Sequence, residues 1–337
     1  MKAVLIRSDE RSDSFARKLE EYGIGCITLG FEDGEWMDFD YGRADFLIFY
    51  PSFQFSSTHP LAVYQAQDNL GHIHRCFPRL RMYPDPKVLY FYNDKYRQFL
   101  FLRRHGFPVP ETVPLLSLAA VGEAHRRFQY PMVVKNRYGA GGAAVFLVHG
   151  LGELTSLYRM SQLDFMHAGA VRFLWRLMAN RMSLYLMVRE RKLRYPFLSP
   201  PLLAQRFIRT DRDLKTVVGR GRVVEAHWRL QASKDQWKVN IDGGGIGQWG
   251  HVPQEAVDLS ERLARALSCS WVNLDLMPCE GGFLITEFSP VWHHYAFQEK
   301  SSFVYRDDYN IPVPLEESLD LERLIIESFL AGEGPAS

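Results

Sequence analysis

Residues 130–148, YPMVVKNRYGAGGAAVFLV, place an apolar strand ending in Lys135 before a turn rich in glycine (Gly139, Gly141, Gly142), with a second apolar strand beyond it. Glycine lets backbone N–H groups approach phosphate oxygens, and a neighbouring ammonium supplies a point charge, so this pattern suits a phosphate. It lacks the G-K-[ST] ending of a Walker loop, and a strand follows where that loop would need a helix. A plain β-hairpin with a glycine turn fits these residues equally well. Further along, Asp275 in NLDLM and Glu287 in LITEF interrupt apolar runs. A carboxylate between Ile285 and Phe288 needs a cation or donors beside it; the alternative is a pair of solvated strand-end acids. His293 and His294 are adjacent, and neighbours in an extended segment point opposite ways, which speaks against a shared base or metal site.

The elements that position these residues follow from periodicity. An apolar run at 3–6, a helical pattern through Phe15, Leu19 and Tyr22, and a second run at 26–29 read as β-α-β. A strand at 46–50 and a helix at 59–77, ended by Pro78, complete a small α/β lobe with a parallel sheet. Its first strand is not followed by G-x-G-x-x-G, so the dinucleotide fingerprint is absent. Asn93-Asp94 caps a helix running to Gly106. Short strands follow at 132–135, 143–149, 202–208, 215–218, 222–229, 272–276 and 283–288, with an amphipathic helix at 254–267. Residues 333–337 read as a frayed tail.

With Lys plus Arg at 40 against Asp plus Glu at 39, the net charge of +1 excludes a global basic field for nucleic acid. The four scattered cysteines form no C-x-x-C pair and fit a reducing cytoplasm better than a disulfide scaffold. No run has the length of a signal-peptide core or a membrane span. One segment is locally basic: Arg172, Arg176, Arg181, Arg189, Arg191, Lys192 and Arg194 stand against Glu190, with apolar residues between them. Such a stretch suits a helical insertion packed on its own lobe, or weak peripheral contact with an anionic membrane through 172–194.

Asn93-Asp94-Lys95, PVPET at 108–112, Lys135 with its glycine turn, LLAQRFI at 202–208, Asp213-Leu214-Lys215, GRVVEAHWR ending at Arg229, KVNIDGGG at 238–245, NLDLM and LITEFSP occur in that order. This succession resembles the ATP-grasp superfamily, and most of all its RimK-type carboxylate–amine ligases, over residues 85–292. The resemblance implies α/β architecture: a Rossmann-like pre-ATP-grasp domain at 1–88 and an ATP-grasp domain at 89–330. Within the latter it implies a lid at 109–204, carrying the insertion at about 152–200, and a catalytic lobe at 205–330. It also implies ATP with Mg²⁺, or Mn²⁺ in its place, and small-molecule or peptide carboxylate and amine substrates; RimK-type relatives are often homo-oligomers.

Residue by residue, the resemblance assigns Lys95 and Lys135 to the nucleotide phosphates and Gly139, Gly141 and Gly142 to a loop closing over them. Gln205, Arg206, Phe207 and Ile208 match the hinge at the adenine, and Asp213 the acid at the ribose. Arg229 and Asn240 match the polar pair beside the γ-phosphate, with Lys215 in the same catalytic group. Asp275, Glu287 and Ser289 match the metal ligands. The chain departs from the pattern at Ser289, where asparagine is usual, at Arg206, where an acid is usual, and at Lys215, where arginine is usual. Trp292 to Tyr295 replace a small glycine-containing loop. The implied reaction is ADP-forming amide synthesis through an acyl phosphate. Phosphotransfer to a hydroxyl and nucleotide binding without turnover are the alternatives.

Overall fold

Ala3, Val4, Leu5 and Ile6 are buried without a break along β1 (Lys2–Arg7), as in a strand covered on both faces. The computed structural model describes residues 1–8, 10–50, 60–139, 145–162, 178, 198–231, 233, 237–239, 246–248, 251–291, 303–305, 312–314 and 320–332. After β1 come α1 (Glu10–Glu21), β2 (Gly25–Gly30), β3 (Phe46–Phe49), α2 (Pro60–Cys76) and β4 (Arg81–Tyr83), which give a parallel sheet of order β2-β1-β3-β4. The fourth strand is only RMY, too short for periodicity to reveal.

The next helix, α3 (Lys95–Arg104), leads to a second sheet built from β5 (Thr112–Leu115), β6 (Met132–Lys135), β7 (Val145–Val148) and β8 (Leu202–Arg206), with α4 (Leu118–Arg127) and α5 (Leu151–Ser161) between them in sequence. Its order is β5-β8-β6-β7, all antiparallel, and Val121, Ala124, Leu154 and Leu157 of the two helices share its core. Pro114 is tolerated in β5 because that strand is an edge.

A third sheet comprises β9 (Arg212–Gly219), β10 (Arg222–Leu230), β11 (Ile246–Gln248), β12 (Trp271–Cys279) and β13 (Gly282–Ser289) in the order β11-β10-β9-β12-β13. One face of it is buried by α6 (Gln254–Leu267), whose Ala256, Leu259 and Leu263 pack on Leu214, Val218, Leu274 and Leu276. The pair β14 (Phe303–Tyr305) and β15 (Pro312–Pro314) and the helix α7 (Leu321–Leu330) follow.

Residues 321–330 fall in the lobe that the resemblance extends from 205 to 330, yet α7 docks on the first sheet. Phe329 stacks on Phe46 with centroids 4.3 Å apart, Ser14 Oγ donates to Glu322 at 2.7 Å, and Tyr22 OH donates to Glu327 at 2.9 Å. The first and third sheets meet at Trp271, whose ring lies edge-on to Tyr83 and covers Gly219. A Cβ added at Gly219 would sit 2.6 Å from that ring. Gly219→Ala is therefore expected to cost about 1–3 kcal/mol in urea unfolding; an unchanged midpoint would mean that Trp271 moves aside freely.

Candidate functional site

Strand alternation would put every second residue of β9 to β13 on the face opposite α6, but two β-bulges decide which residues arrive there. In β10 the register slips between Val223 and Glu225. Val223 packs with α6, as do Ala226 and Trp228 beyond the slip, so Glu225, His227 and Arg229 are turned to the opposite face. In β13 the register slips between Ile285 and Glu287, with Thr286 as the extra residue and its hydroxyl donating to Asp275 O at 3.0 Å. Ile285 and Phe288 both reach the α6 core, which leaves Glu287 and Ser289 on the other side.

The result is a polar grid. One row across the sheet is His227, Lys215, Asp275 and Glu287; the row behind it is Glu225, Val217, Asn273 and Ser289; Arg229 and Asp213 form the row in front. Arg229 holds Asp213 bidentately, Nε to Oδ1 at 2.6 Å and NH2 to Oδ2 at 2.8 Å, and reaches Asp275 Oδ2 at 3.0 Å. Lys215 Nζ donates to Asp275 Oδ1 and to Asn273 Oδ1, each at 3.0 Å. Burial pushes the Asp213 carboxyl up despite Arg229. Burial would also raise Asp275, but Arg229 and Lys215 outweigh it and hold that carboxyl well below the usual range. Desolvation of Arg229 is likewise outweighed by its two acids, which hold its guanidinium charged.

Across from this grid stands α3. Asp94 caps it by accepting from Tyr96 N at 3.1 Å and Arg97 N at 3.0 Å, and the same fully buried carboxylate takes Arg137 NH2 at 2.7 Å. Gly139 N donates to Asn93 Oδ1 at 3.2 Å, and Lys95 Nζ donates to Gly139 O. Gly139 has a φ of 130°, a conformation that side chains resist. The start of the glycine turn is thus tied to the helix bearing Lys95, and Lys95 Nζ lies 3.5 Å from Glu287 Oε1. Lys135 is pushed down to about 8, by burial first and by the charge of Lys95, against the pull of Glu287 and Asp275.

Between the second and third sheets lies a small open cleft, lined by Lys95 and Gln98 of α3, Lys135, Gln205, Ile285 and Thr286 among others. Gln98 Oε1 accepts from Phe288 N at 3.2 Å, fastening α3 to β13. Gln205 turns its amide to Thr112 Oγ1 at 3.0 Å. Arg206 N donates to Glu111 O at 3.0 Å, so of residues 206–208, which the resemblance assigns to a hinge, the N–H of Arg206 is already used. Its cationic side chain, the departure noted in the sequence, has its acid in Glu111, which also takes Arg127. Those two arginines, Arg127 first, hold the Glu111 carboxyl below its usual range.

Ser289 is placed beside the grid but its hydroxyl is committed: it donates to Val291 O at 2.9 Å and accepts from Val291 N at 3.2 Å. Asn273 Nδ2 secures the same turn through Ser289 O and Val291 O, both at 2.8 Å. As a hard-oxygen set, Asp275 and Glu287 face each other in register, which suits a divalent cation completed by phosphate oxygens and water; Ser289 does not contribute in this arrangement. Among the described residues no group of three His, Cys, Asp or Glu side chains forms a metal cage, and no helix is long and apolar enough to cross a membrane.

Gly141, Gly142, Asn240, His293, His294, the Trp292–Tyr295 loop, the tail at 333–337 and all of the basic stretch 172–194 except Met178 lie outside the described residues. Sequence reasoning missed Glu111, Arg137 and Asn273, ordinary polar residues whose partners are distant in the chain. It also passed over Glu225 and His227, whose one signal is charge within an apolar strand.

No family model matches the chain. It is 25% identical over 217 residues to Beta-citrylglutamate synthase B of Mus musculus, an alignment covering 61% of this chain and 46% of that protein. The chain thus spans about half the length of the curated relatives it matches. Among solved structures, the D-alanine–D-alanine ligase from Bacillus anthracis superposes with a TM-score of 0.62 at 14% identity, covering 98% of each chain. A RimK domain ATP-grasp protein from Sphaerobacter thermophilus does so with a TM-score of 0.52 at 12% identity, covering 86% of this chain and 90% of the other.

Proposed function

We propose that this chain, which has the ATP-grasp fold, is a RimK-like ADP-forming ligase that joins a carboxylate to an amine. The observation that carries this reading is the gathering of Lys95, Lys135, Lys215 and Arg229 around Asp275 and Glu287, at a cleft between two antiparallel sheets. In this reading the adenine lies along 205–208 and the phosphates run toward Lys95, Lys135 and the glycine turn. Arg229, oriented by Asp213, and Lys215 stabilise charge on the transferred phosphoryl group. Asp275 and Glu287 would hold Mg²⁺ or Mn²⁺, which supplies charge neutralisation at the phosphates. The donor carboxylate takes the γ-phosphoryl group, ADP departs, and the amine displaces phosphate from the acyl carbon. Closure of the lid at 109–204 would exclude water from that acyl phosphate. L-Glutamate is the first acceptor to try, because the name of the mouse relative contains it.

Nucleotide binding without turnover is the second reading. It is favoured by one observation: both oxygens of Asp275 are engaged by Lys215 and Arg229. Product analysis separates the two. Protein, ATP, Mg²⁺, L-glutamate and a pooled metabolite extract should yield ADP and a mass equal to donor plus acceptor minus water. ADP with a phosphorylated metabolite would select a kinase, ATP binding without ADP would select the silent protein, and AMP would overturn the acyl-phosphate route.

The lowered pKa of Lys135 gives a further expectation. Phosphates favour its charged form, so above about 8 binding must take up a proton. Affinity for a non-hydrolysable ATP analogue should weaken as pH rises from about 7 to about 9, by at most about tenfold per unit. Lys135→Met should bind weakly and without that slope; a slope retained in the variant would assign it to another group.

A further inference from the structure

Glu225 and His227 occupy the grid but have no part in the chemistry above. The bulge in β10 turns both onto the site face, His227 one strand from Lys215 and two from Asp275, a spacing of about 10 Å between the outer strands. Both side chains are wholly buried, with His227 Nδ1 2.5 Å from Glu225 Oε1. Glu225 Oε2 has no hydrogen-bond partner among the described residues. Every other described acid of the face is held by a lysine or arginine: Asp213 by Arg229, Asp275 by Lys215 and Arg229, Glu287 by Lys95. Among the described residues Glu225 is the acid on this face that lacks one, and a buried carboxylate oxygen without a donor is costly.

A ligase of the kind proposed needs two things that the rest of the grid does not supply. The acceptor arrives as an ammonium and needs an anion to seat it, and it must lose protons to attack. We propose that Glu225 and His227 form the acceptor subsite, Glu225 Oε2 receiving the ammonium of a primary amine and the pair taking the proton released as that amine attacks. The C–N bond forms as the acyl C–O bond to phosphate breaks; one ammonium proton passes to the Glu225–His227 pair and a second leaves on the phosphate as HPO₄²⁻. Burial suits the step, because a seat closed to water protects the acyl phosphate.

The inference rests on the ligase reading, and its test separates the two. Full-length protein with ATP, Mg²⁺, L-glutamate and the pooled extract is assayed with and without hydroxylamine, a nucleophile that is uncharged at neutral pH and needs neither an anionic seat nor a base. Products are the amide and the hydroxamate. In Glu225→Gln the ratio of amide to hydroxamate should fall about 100-fold, the size of a lost general base. His227→Gln should lower it in the same direction, which covers the case that one variant fails to fold. A ratio unchanged in folded variants, whether both products persist or both decline together, would make the pair structural and overturn the proposal. Wild-type protein giving neither product would overturn the ligase reading and this inference with it.

Discussion

A chain carrying Arg229→Met should lose about 3–5 kcal/mol of unfolding free energy at neutral pH and at least about 100-fold in turnover. Arg229 is the joint between Asp213 and Asp275, and its removal leaves two buried carboxylates with Lys215 as the one cation bonded to the pair among the described residues. Burial already raises Asp213, and without Arg229 it rises further, while Asp275 loses one of the two cations that hold it low. Groups whose folded pKa exceeds the unfolded value take up protons preferentially in the folded state, so stability falls as pH rises through that range. The deficit of the variant should accordingly shrink between about pH 8 and about pH 5, as urea unfolding at the two values would show. A second change, Asp213→Asn, should restore part of the loss. A deficit that instead grows toward acid would mean that Arg229 does not serve to neutralise the acid pair.

Glu287→Gln is expected to reduce metal-dependent ADP formation by about 1,000-fold or more, with unfolding free energy within about 1 kcal/mol of wild type. The substitution is isosteric and Glu287 is half-buried, so its partner Lys95 keeps Gly139 O while the metal loses one of two carboxylates. Mn²⁺ binding in the presence of an ATP analogue, followed by electron paramagnetic resonance, gives a readout that does not depend on turnover. Undiminished Mn²⁺ binding would remove Glu287 from the metal's neighbourhood.

Much of the frame was readable from periodicity because the signal there is local. The helix at Gln254–Leu267 and the strand at Met132–Lys135 coincide with the sequence reading to the residue. What periodicity could not supply is phase. In LITEFS, simple alternation puts Ile285, Glu287 and Ser289 on one face; the inserted Thr286 separates Ile285 from the other two. In RVVEAHWR the same holds for Val223 against Glu225, His227 and Arg229. A bulge is set by pairing with a strand distant in sequence, so the side on which an acid lands is a tertiary fact. The hydroxyl of Ser289 illustrates the same limit, since its bond to Val291 depends on a turn held by Asn273 from another strand.

The docking of α7 on the first sheet has a consequence for synthesis. Residues 1–88 leave the ribosome early, yet Phe46 waits for Phe329 and Arg81 for the carbonyl of the same residue. Until residues 321–330 are translated, that flank of the nascent lobe remains uncovered. A stop codon shortly before 321 would spare every residue of the grid and still release a chain with an adhesive surface, a natural target for chaperones and proteases.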